Sequence, residues 1–265
     1  MLSLGQQGSS APVQGSDAWL KLREKRMTGS KPSSIMFDLK SAEDWDRLWN
    51  EMFGDAKPKP FSDEARARMD YGSRTEDTAA ALIQKVVPGS IFFECPLIPH
   101  SVYNWIACSP DGYLVQFEHD SNGVPLPSFA VKKRYNIEIK CPLYQYLSDP
   151  DQMLKAMKKK KNASCYYYYM AQLHFEMVLN KVDTTIFCVY TPVRTHMWKM
   201  TFDPAYWRQT LDVLKTFKDR CCTFEHLQSK LKDWIAESRR YASRFKLWKV
   251  VEADEIRALG CAVSE

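Results

Sequence analysis

Apolar positions recur along the chain with two different periods. Trp45, Leu48, Trp49 and Met52 fall at helical spacing behind Ser41, a residue suited to an N-cap, and predict a helix opening at that serine. Residues 16–27 read as an earlier helix, opened by Ser16 or Asp17 and broken by Thr28-Gly29-Ser30. A longer helix is predicted over 62–86, with Gly72, Glu76 and Ala80 four residues apart on one stripe. A mid-helix glycine costs about 1 kcal/mol relative to alanine and suits a place where something approaches the backbone closely. Strand patterns follow at 91–95, 104–109, 113–117 and 135–140. A helix over 163–180 then carries Gln172 and Glu176. Two more strands, 184–190 and 196–202, precede helices over about 204–245. This order predicts an α/β fold, a central mixed sheet flanked by helices. With no internal repeat and no long linker, the chain reads as one domain with embellishments.

Composition changes this picture little. A chain of 265 residues with 45% hydrophobic and 13% aromatic content can bury a sizeable core. No run approaches the roughly 20 apolar residues of a membrane span. The opening MLSLGQQGSSAPVQGS lacks a basic residue and a long enough apolar stretch for a signal peptide, so residues 1–15 are expected to be a flexible lead-in. The eight cysteines include no Cys-x-x-Cys, and no two histidines stand at ligand spacing, which argues against zinc and for a reducing, intracellular setting. The net charge of +5 is modest. Its distribution matters more: Lys132, Lys133 and Arg134 form one basic cluster, and Lys155 with Lys158, Lys159, Lys160 and Lys161 forms another. Such clusters are usually solvated surface. Two of them flanking one strand raise the odds of a phosphate-bearing partner.

The chemistry lies in SPDGYLV (109–115) and YNIEIKCP (135–142). Turn preference accounts for Asp111 between Pro110 and Gly112. It does not account for an acid and a base two residues apart in an otherwise apolar strand. Side chains alternate along a strand, so Glu138 and Lys140 share one face while Ile137 and Ile139 take the other. Two carboxylates suit Mg²⁺ or Mn²⁺, which prefer oxygen ligands, and the Ile139 carbonyl could add a third. Lys140 could orient water and offset charge in a phosphoryl-transfer transition state. Taken alone the pattern is weak, because a half-exposed strand edge would look the same.

Five ordered blocks over about 16–202 resemble the lambda-type exonucleases, also called YqaJ-like viral recombinases, of the PD-(D/E)xK nuclease superfamily. SDAWLKLREKRMTGS is similar to the family's opening Trp-x-x-x-Arg helix and Thr-x-Ser turn. Tyr71-Gly72 with Glu76 resembles its Gly-x-x-x-Glu helix. IACSPDG and IEIKCP resemble its two signature strands, and YYMAQLHFEM the helix bearing its glutamine. The resemblance implies a restriction-endonuclease-like core over 16–203; residues 204–265 are expected to be a C-terminal helical extension packed on the same domain. It implies that Asp111 and Glu138 hold Mg²⁺ or Mn²⁺, two ions per site, and that Lys140 is the catalytic lysine. Glu76 completes the site, in part through water, and Gln172 supports it. By the same resemblance, Arg23, Ser30 and Ser109 are expected to grip a 5′-phosphate. The family resects linear duplex DNA from its 5′ ends to leave 3′ single strands, often as a trimeric ring acting with a single-strand annealing protein. Against that pattern, the connection from Asp111 to Glu138 is longer and more basic, and Arg239-Arg240 and the late aromatic helices have no counterpart.

Two other readings remain at this stage: a restriction-like endonuclease on the same core, or a non-catalytic DNA-binding scaffold. The Arg23 pocket favours an end-directed enzyme over the first, and the intact acid and lysine positions count against the second.

Overall fold

The computed structural model describes residues 12, 15–55, 60–124, 126–128, 130–143 and 167–261. The elements before the central strands are α1 (Asp17–Arg23), β1 (Met27–Thr28), α2 (Lys31–Asp38), α3 (Ala42–Phe53) and α4 (Asp63–Val86). Then come β2 (Ser90–Glu94), β3 (Ile98–Pro99), β4 (Ile106–Cys108), β5 (Gly112–Phe117) and β6 (Val131–Lys140). After a 3₁₀ turn at Tyr167–Tyr169 follow α5 (Met170–Asn180), β7 (Thr184–Val189), β8 (Arg194–Thr201), α6 (Pro204–Asp219), α7 (Phe224–Ala242), β9 (Lys249–Glu252) and α8 (Ala253–Ala258).

The apolar run of β7 is buried along its whole length, as a strand covered on both faces must be. It lies inside a six-stranded sheet of order β2-β5-β6-β7-β8-β9. Only the β6–β7 pair is parallel; the others are antiparallel. Helix α4 covers one face, where Ala79, Leu82 and Ile83 join Leu114, Ile137, Ile139 and Ile186 in one cluster. On the other face α5 is buried nearly all round and meets α2, α3, α6 and α7 in a larger cluster. Trp45 Nε1 and Trp49 Nε1 donate to the carbonyls of Phe217 and Lys218 at 2.9 and 2.7 Å, which fastens α3 to the end of α6. A second sheet, β1-β4-β3, is small, with β1 and β4 parallel. Among the described residues no helix is long and apolar enough to cross a membrane.

The mixed α/β architecture is the one the pattern predicts, but several boundaries move. The first helix stops at Arg23, not at residue 27. Lys25 takes a left-handed conformation (φ 54°), and the Met27 N–H donates to the Trp105 carbonyl at 2.7 Å, which pulls the chain into β1. Helix α2, with Pro32 in its first turn, occupies a stretch to which the pattern assigns no element. The strand expected at 104–109 shrinks to 106–108 and joins the small sheet. The strand expected from 135 begins at 131, so Lys132, Lys133 and Arg134 belong to β6 and not to the preceding loop. Residues 204–265, expected to be helical, also contain β9, which extends the main sheet beside β8. The lead-in 1–15 lies almost wholly outside the described residues.

Helix α4 divides into two unlike halves. Ser62 caps it by accepting from the Ala65 N–H at 3.2 Å. From Asp63 to Arg74 it contains no buried residue; burial begins at Thr75 and continues through Ala79, Ala80, Leu82 and Ile83.

Candidate active site

Strand register brings the acidic pair together. Gly112 opposes Ile137 across the antiparallel β5–β6 pair, so Asp111 enters β5 beside Glu138. An Asp111 carboxylate oxygen accepts from the Ile139 N–H. Gly112 is required sterically: a Cβ there would run into the Phe92 ring and lie 2.7 Å from the Phe93 carbonyl oxygen. Glu138 is buried, 1% exposed, and its Oε1 accepts from both Lys140 Nζ and Gln172 Nε2. Its Oε2 is buried without a hydrogen-bond partner among the described residues. The amide of Gln172 comes from α5, directly behind the strand.

Glu76 stands across from this cluster on α4. It lines a cleft of about 490 Å³ together with Asp111, Asp77, Glu94 and Cys95. Burial and then the Glu138 charge push the Glu76 carboxyl up to about 6. The same two causes, in the same order, hold Asp111 well above the usual carboxylate range. Lys140 shows a contest. Burial of its ammonium would lower the pKa, but Glu138, Asp111 and the hydrogen bond to Glu138 outweigh it and keep the lysine firmly cationic. Gly72, one turn before Glu76, has no described protein atom within 4 Å of where a Cβ would sit. Among the described residues no neighbouring element fills the space that glycine leaves.

A second group is assembled by the small sheet. Thr28 pairs with Ala107, which brings the Thr28–Ser30 turn alongside the segment ending at Ser109. The Arg23 guanidinium lies 4.1 Å from the Trp19 ring centroid, and its Nη2 donates to Thr28 Oγ1 at 3.1 Å. Burial lowers the Arg23 pKa from its ordinary value. Ser109 Oγ and Trp19 Nε1 are both buried without partners among the described residues. Ser30 is exposed and opens α2 without a side-chain cap. Gly29 joins the two groups: a Cβ there would sit 3.5 Å from both Gln172 Cγ and Glu176 Oε1.

The structure therefore gathers Asp111, Glu138, Ile139, Lys140 and Gln172, sets Glu76 opposite, and places Arg23 at the end of α1, Ser30 at the start of α2 and Ser109 just past β4, around the small sheet. It does not bring Lys132, Lys133 and Arg134 into the cluster. At strand spacing Lys132 is about 20 Å from Glu138 along β6, and Lys133 lies 3.7 Å from an Asp183 carboxylate oxygen. Lys158–Lys161 are outside the described residues. Two polar side chains of α5 are buried where the sequence marks neither, and of the two it is Glu176 that bonds to a residue of the cluster. Glu176 accepts from Gln172, and His174, which burial lowers to about 4, accepts from the Asp203 N–H at 3.2 Å. No local pattern marks either, since their burial depends on what covers α5.

A hard divalent cation fits this donor set. Asp111 and Glu138 offer carboxylate oxygens, one of them buried and unpartnered, and burial of like charges is relieved by a cation. No cluster of three or more His, Cys, Asp or Glu side chains among the described residues would hold an ion by itself. The Ile139 carbonyl and water would have to complete the shell.

The raised carboxyls give a pH dependence with a definite sign. A carboxyl whose pKa is higher folded than unfolded stabilises the fold fully below its unfolded value and loses that contribution as pH rises through the folded one. For Glu76 the window runs from 4.5 to about 6, and Asp111, raised well above its ordinary value, acts in the same direction. His174 acts oppositely: its pKa is depressed from 6.5 to about 4, so stability falls as pH drops through that range. In EDTA the wild-type protein is expected to lose melting temperature relative to Glu76→Gln as pH rises from 4.5 through about 6, by about 2–4 °C for each 1 kcal/mol lost. A melting difference between the two proteins that stays constant over that range would contradict this.

The sequence model of the YqaJ-like viral recombinase domain family matches residues 18–184. No curated protein matches the chain. Among solved structures, an alkaline exonuclease (LHK-Exo) from Laribacter hongkongensis is similar at a TM-score of 0.52 and 18% identity, over 86% of this chain and 99% of that one. The same exonuclease in complex with dAMP gives 0.51 and 18% over the same shares. A phage related exonuclease from Haemophilus somnus 129PT is similar at 0.40 and 14%, over 84% and 96%. The likeness to LHK-Exo is one of fold.

Proposed function

This chain belongs to the YqaJ-like viral recombinase domain family, and we propose that it is a divalent-metal-dependent 5′→3′ exonuclease acting on linear double-stranded DNA. The observation that carries this reading is the cluster of Asp111, Glu138, Ile139, Lys140 and Gln172, tied by hydrogen bonds around one end of β6, with Arg23 bonded to Thr28 beside the small sheet. The fold shared with alkaline exonucleases supports it.

Asp111, Glu138 and the Ile139 carbonyl would hold Mg²⁺ or Mn²⁺, with Glu76 reaching the shell through water. The bound ion would polarise a phosphoryl oxygen and lower the pKa of water. Lys140, kept cationic by its carboxylate neighbours, offsets negative charge as it develops on the phosphoryl group. Gln172 holds Glu138 through Oε1, which leaves Oε2 for the site. Arg23, held by Thr28, with Ser30 and Ser109 grips the terminal 5′-phosphate and sets the register at which the strand is cut. Lys132, Lys133 and Arg134 hold the duplex backbone away from the cleaved bond. The 3′ single strands left behind call for a single-strand annealing partner inside the cell, and a ring-shaped homo-oligomer would keep the enzyme on one duplex.

The test is incubation with linear and covalently closed circular duplex, in Mg²⁺ and in EDTA. Degradation of the linear form alone, and only with the metal, is the expected result. Cutting of the closed circle would favour the endonuclease reading, and cleavage of neither would leave a scaffold. A readout independent of activity accompanies it: Mg²⁺ is expected to raise the melting temperature above its value in EDTA, because an ion that binds only the folded state stabilises it.

A further inference from the structure

Glu176 lies one turn beyond Gln172 on α5 and is 1% exposed. Gln172 Nε2 donates one hydrogen to Glu138 Oε1 and the other, at 2.9 Å, to Glu176 Oε1. Glu176 Oε2 accepts from Asn136 Nδ2 at 2.8 Å, and Asn136 Oδ1 accepts from Asn180 Nδ2 at 2.6 Å. A glutamine amide turns freely about its last torsion, so one acceptor does not fix it. Two acceptors, one on β6 and one on α5, fix both hydrogens and therefore the plane of the amide.

That plane has a consequence for Glu138. With Oε1 occupied by Lys140 and Gln172, Oε2 is the oxygen left without a partner. A second buried carboxyl so close to the first is costly for the fold. An apolar residue or an amide would fill the same space more cheaply. The Thr28–Ser30 turn closes over it, with Gly29 leaving room for Glu176 Oε1.

We propose that Glu176 is a positioning residue for phosphodiester cleavage: through Gln172 it fixes which oxygen of Glu138 faces the reacting phosphate and its cation. The proposal rests on the nuclease reading above. It concerns the geometry of the amide, and the chain Asn180–Asn136–Glu176–Gln172–Glu138 is the device.

The experiment measures kcat, KM for a 5′-phosphorylated linear duplex and the Mg²⁺ concentration for half-maximal rate, with a thermal melt for each protein. E176A is expected to lower kcat by about 10–100-fold and raise the Mg²⁺ requirement, with KM for DNA unchanged. Where alanine lowers the melt below the assay temperature, E176M, which keeps the volume without an acceptor, replaces it. E176Q should recover kcat to within about threefold of wild type, because its Oε1 still accepts from Gln172 and its amide can pair with a turned Asn136. In a Q172A background E176A should cost nothing further. Normal kcat in E176A or E176M, losses that multiply in the double variant, or E176Q as impaired as E176A would each overturn the proposal. Failure of the wild-type protein to degrade linear duplex would instead overturn the nuclease reading.

Discussion

Asp111→Asn, Glu138→Gln and Lys140→Met are each expected to lower turnover of linear duplex by about 10²–10³-fold or more, the loss typical of removing a group that acts mainly on the transition state. Their melts should differ in an informative way. D111N removes one of several buried acidic charges, and its side-chain oxygen can still accept from the Ile139 N–H, so in EDTA it should melt no lower than wild type. K140M strips Glu138 of its cation and should melt lower, since an uncompensated buried carboxylate is destabilising. Labelled-duplex turnover beside differential scanning decides the matter. Activity above a tenth of wild type in all three variants would remove these residues from the chemistry.

The second large effect concerns the chain end. Linear duplex bearing a 5′-phosphate should be degraded about 10–100-fold faster than the same duplex with a 5′-hydroxyl, the range corresponding to one or two charge-assisted hydrogen bonds. Arg23→Ala should erase most of that ratio while leaving the slow rate on the 5′-hydroxyl substrate in place. Arg23→Lys should rescue it poorly. Lysine keeps the charge but loses the planar fork that donates to Thr28 and lies over Trp19. Equal rates on the two ends in the wild-type protein would refute both the pocket and the 5′→3′ direction.

Legibility in the sequence varied with how local the determining physics is. Asp111 and the Glu138–Lys140 pair could be read because a turn and a two-residue period are short-range properties, and β5–β6 pairing then joins them. Helix α3 could be read for the same reason, since its cap and its apolar stripe lie within twelve residues. Helix α2 could not. Ser30-Lys31-Pro32-Ser33-Ser34 looks like loop chemistry, and Ile35 and Met36 become a helix face only against the core they enter. Strand β9 is four residues long and owes its existence to the open edge of β8. Glu176 shows the limit most clearly. A glutamate four residues after a glutamine on a helix ordinarily faces water, and nothing nearby in the sequence says that α5 is covered on every side.

The uneven burial of α4 has a dynamic consequence. Its twelve residues before Thr75 are held by the Ser62 cap, intrinsic propensity and pairs such as Arg68–Glu64, each worth only about a few tenths of a kcal/mol to 1 kcal/mol. From Thr75 onward, unwinding requires tearing Ala79, Leu82 and Ile83 out of the core. Amide hydrogen exchange along this one helix should therefore step, not slope: fast local fraying up to Arg74, then protection approaching that of global unfolding. Glu76 sits just inside the step. The carboxylate is anchored to the slow part of the molecule, while the turn bearing Gly72 can rearrange against whatever enters the cleft without disturbing it.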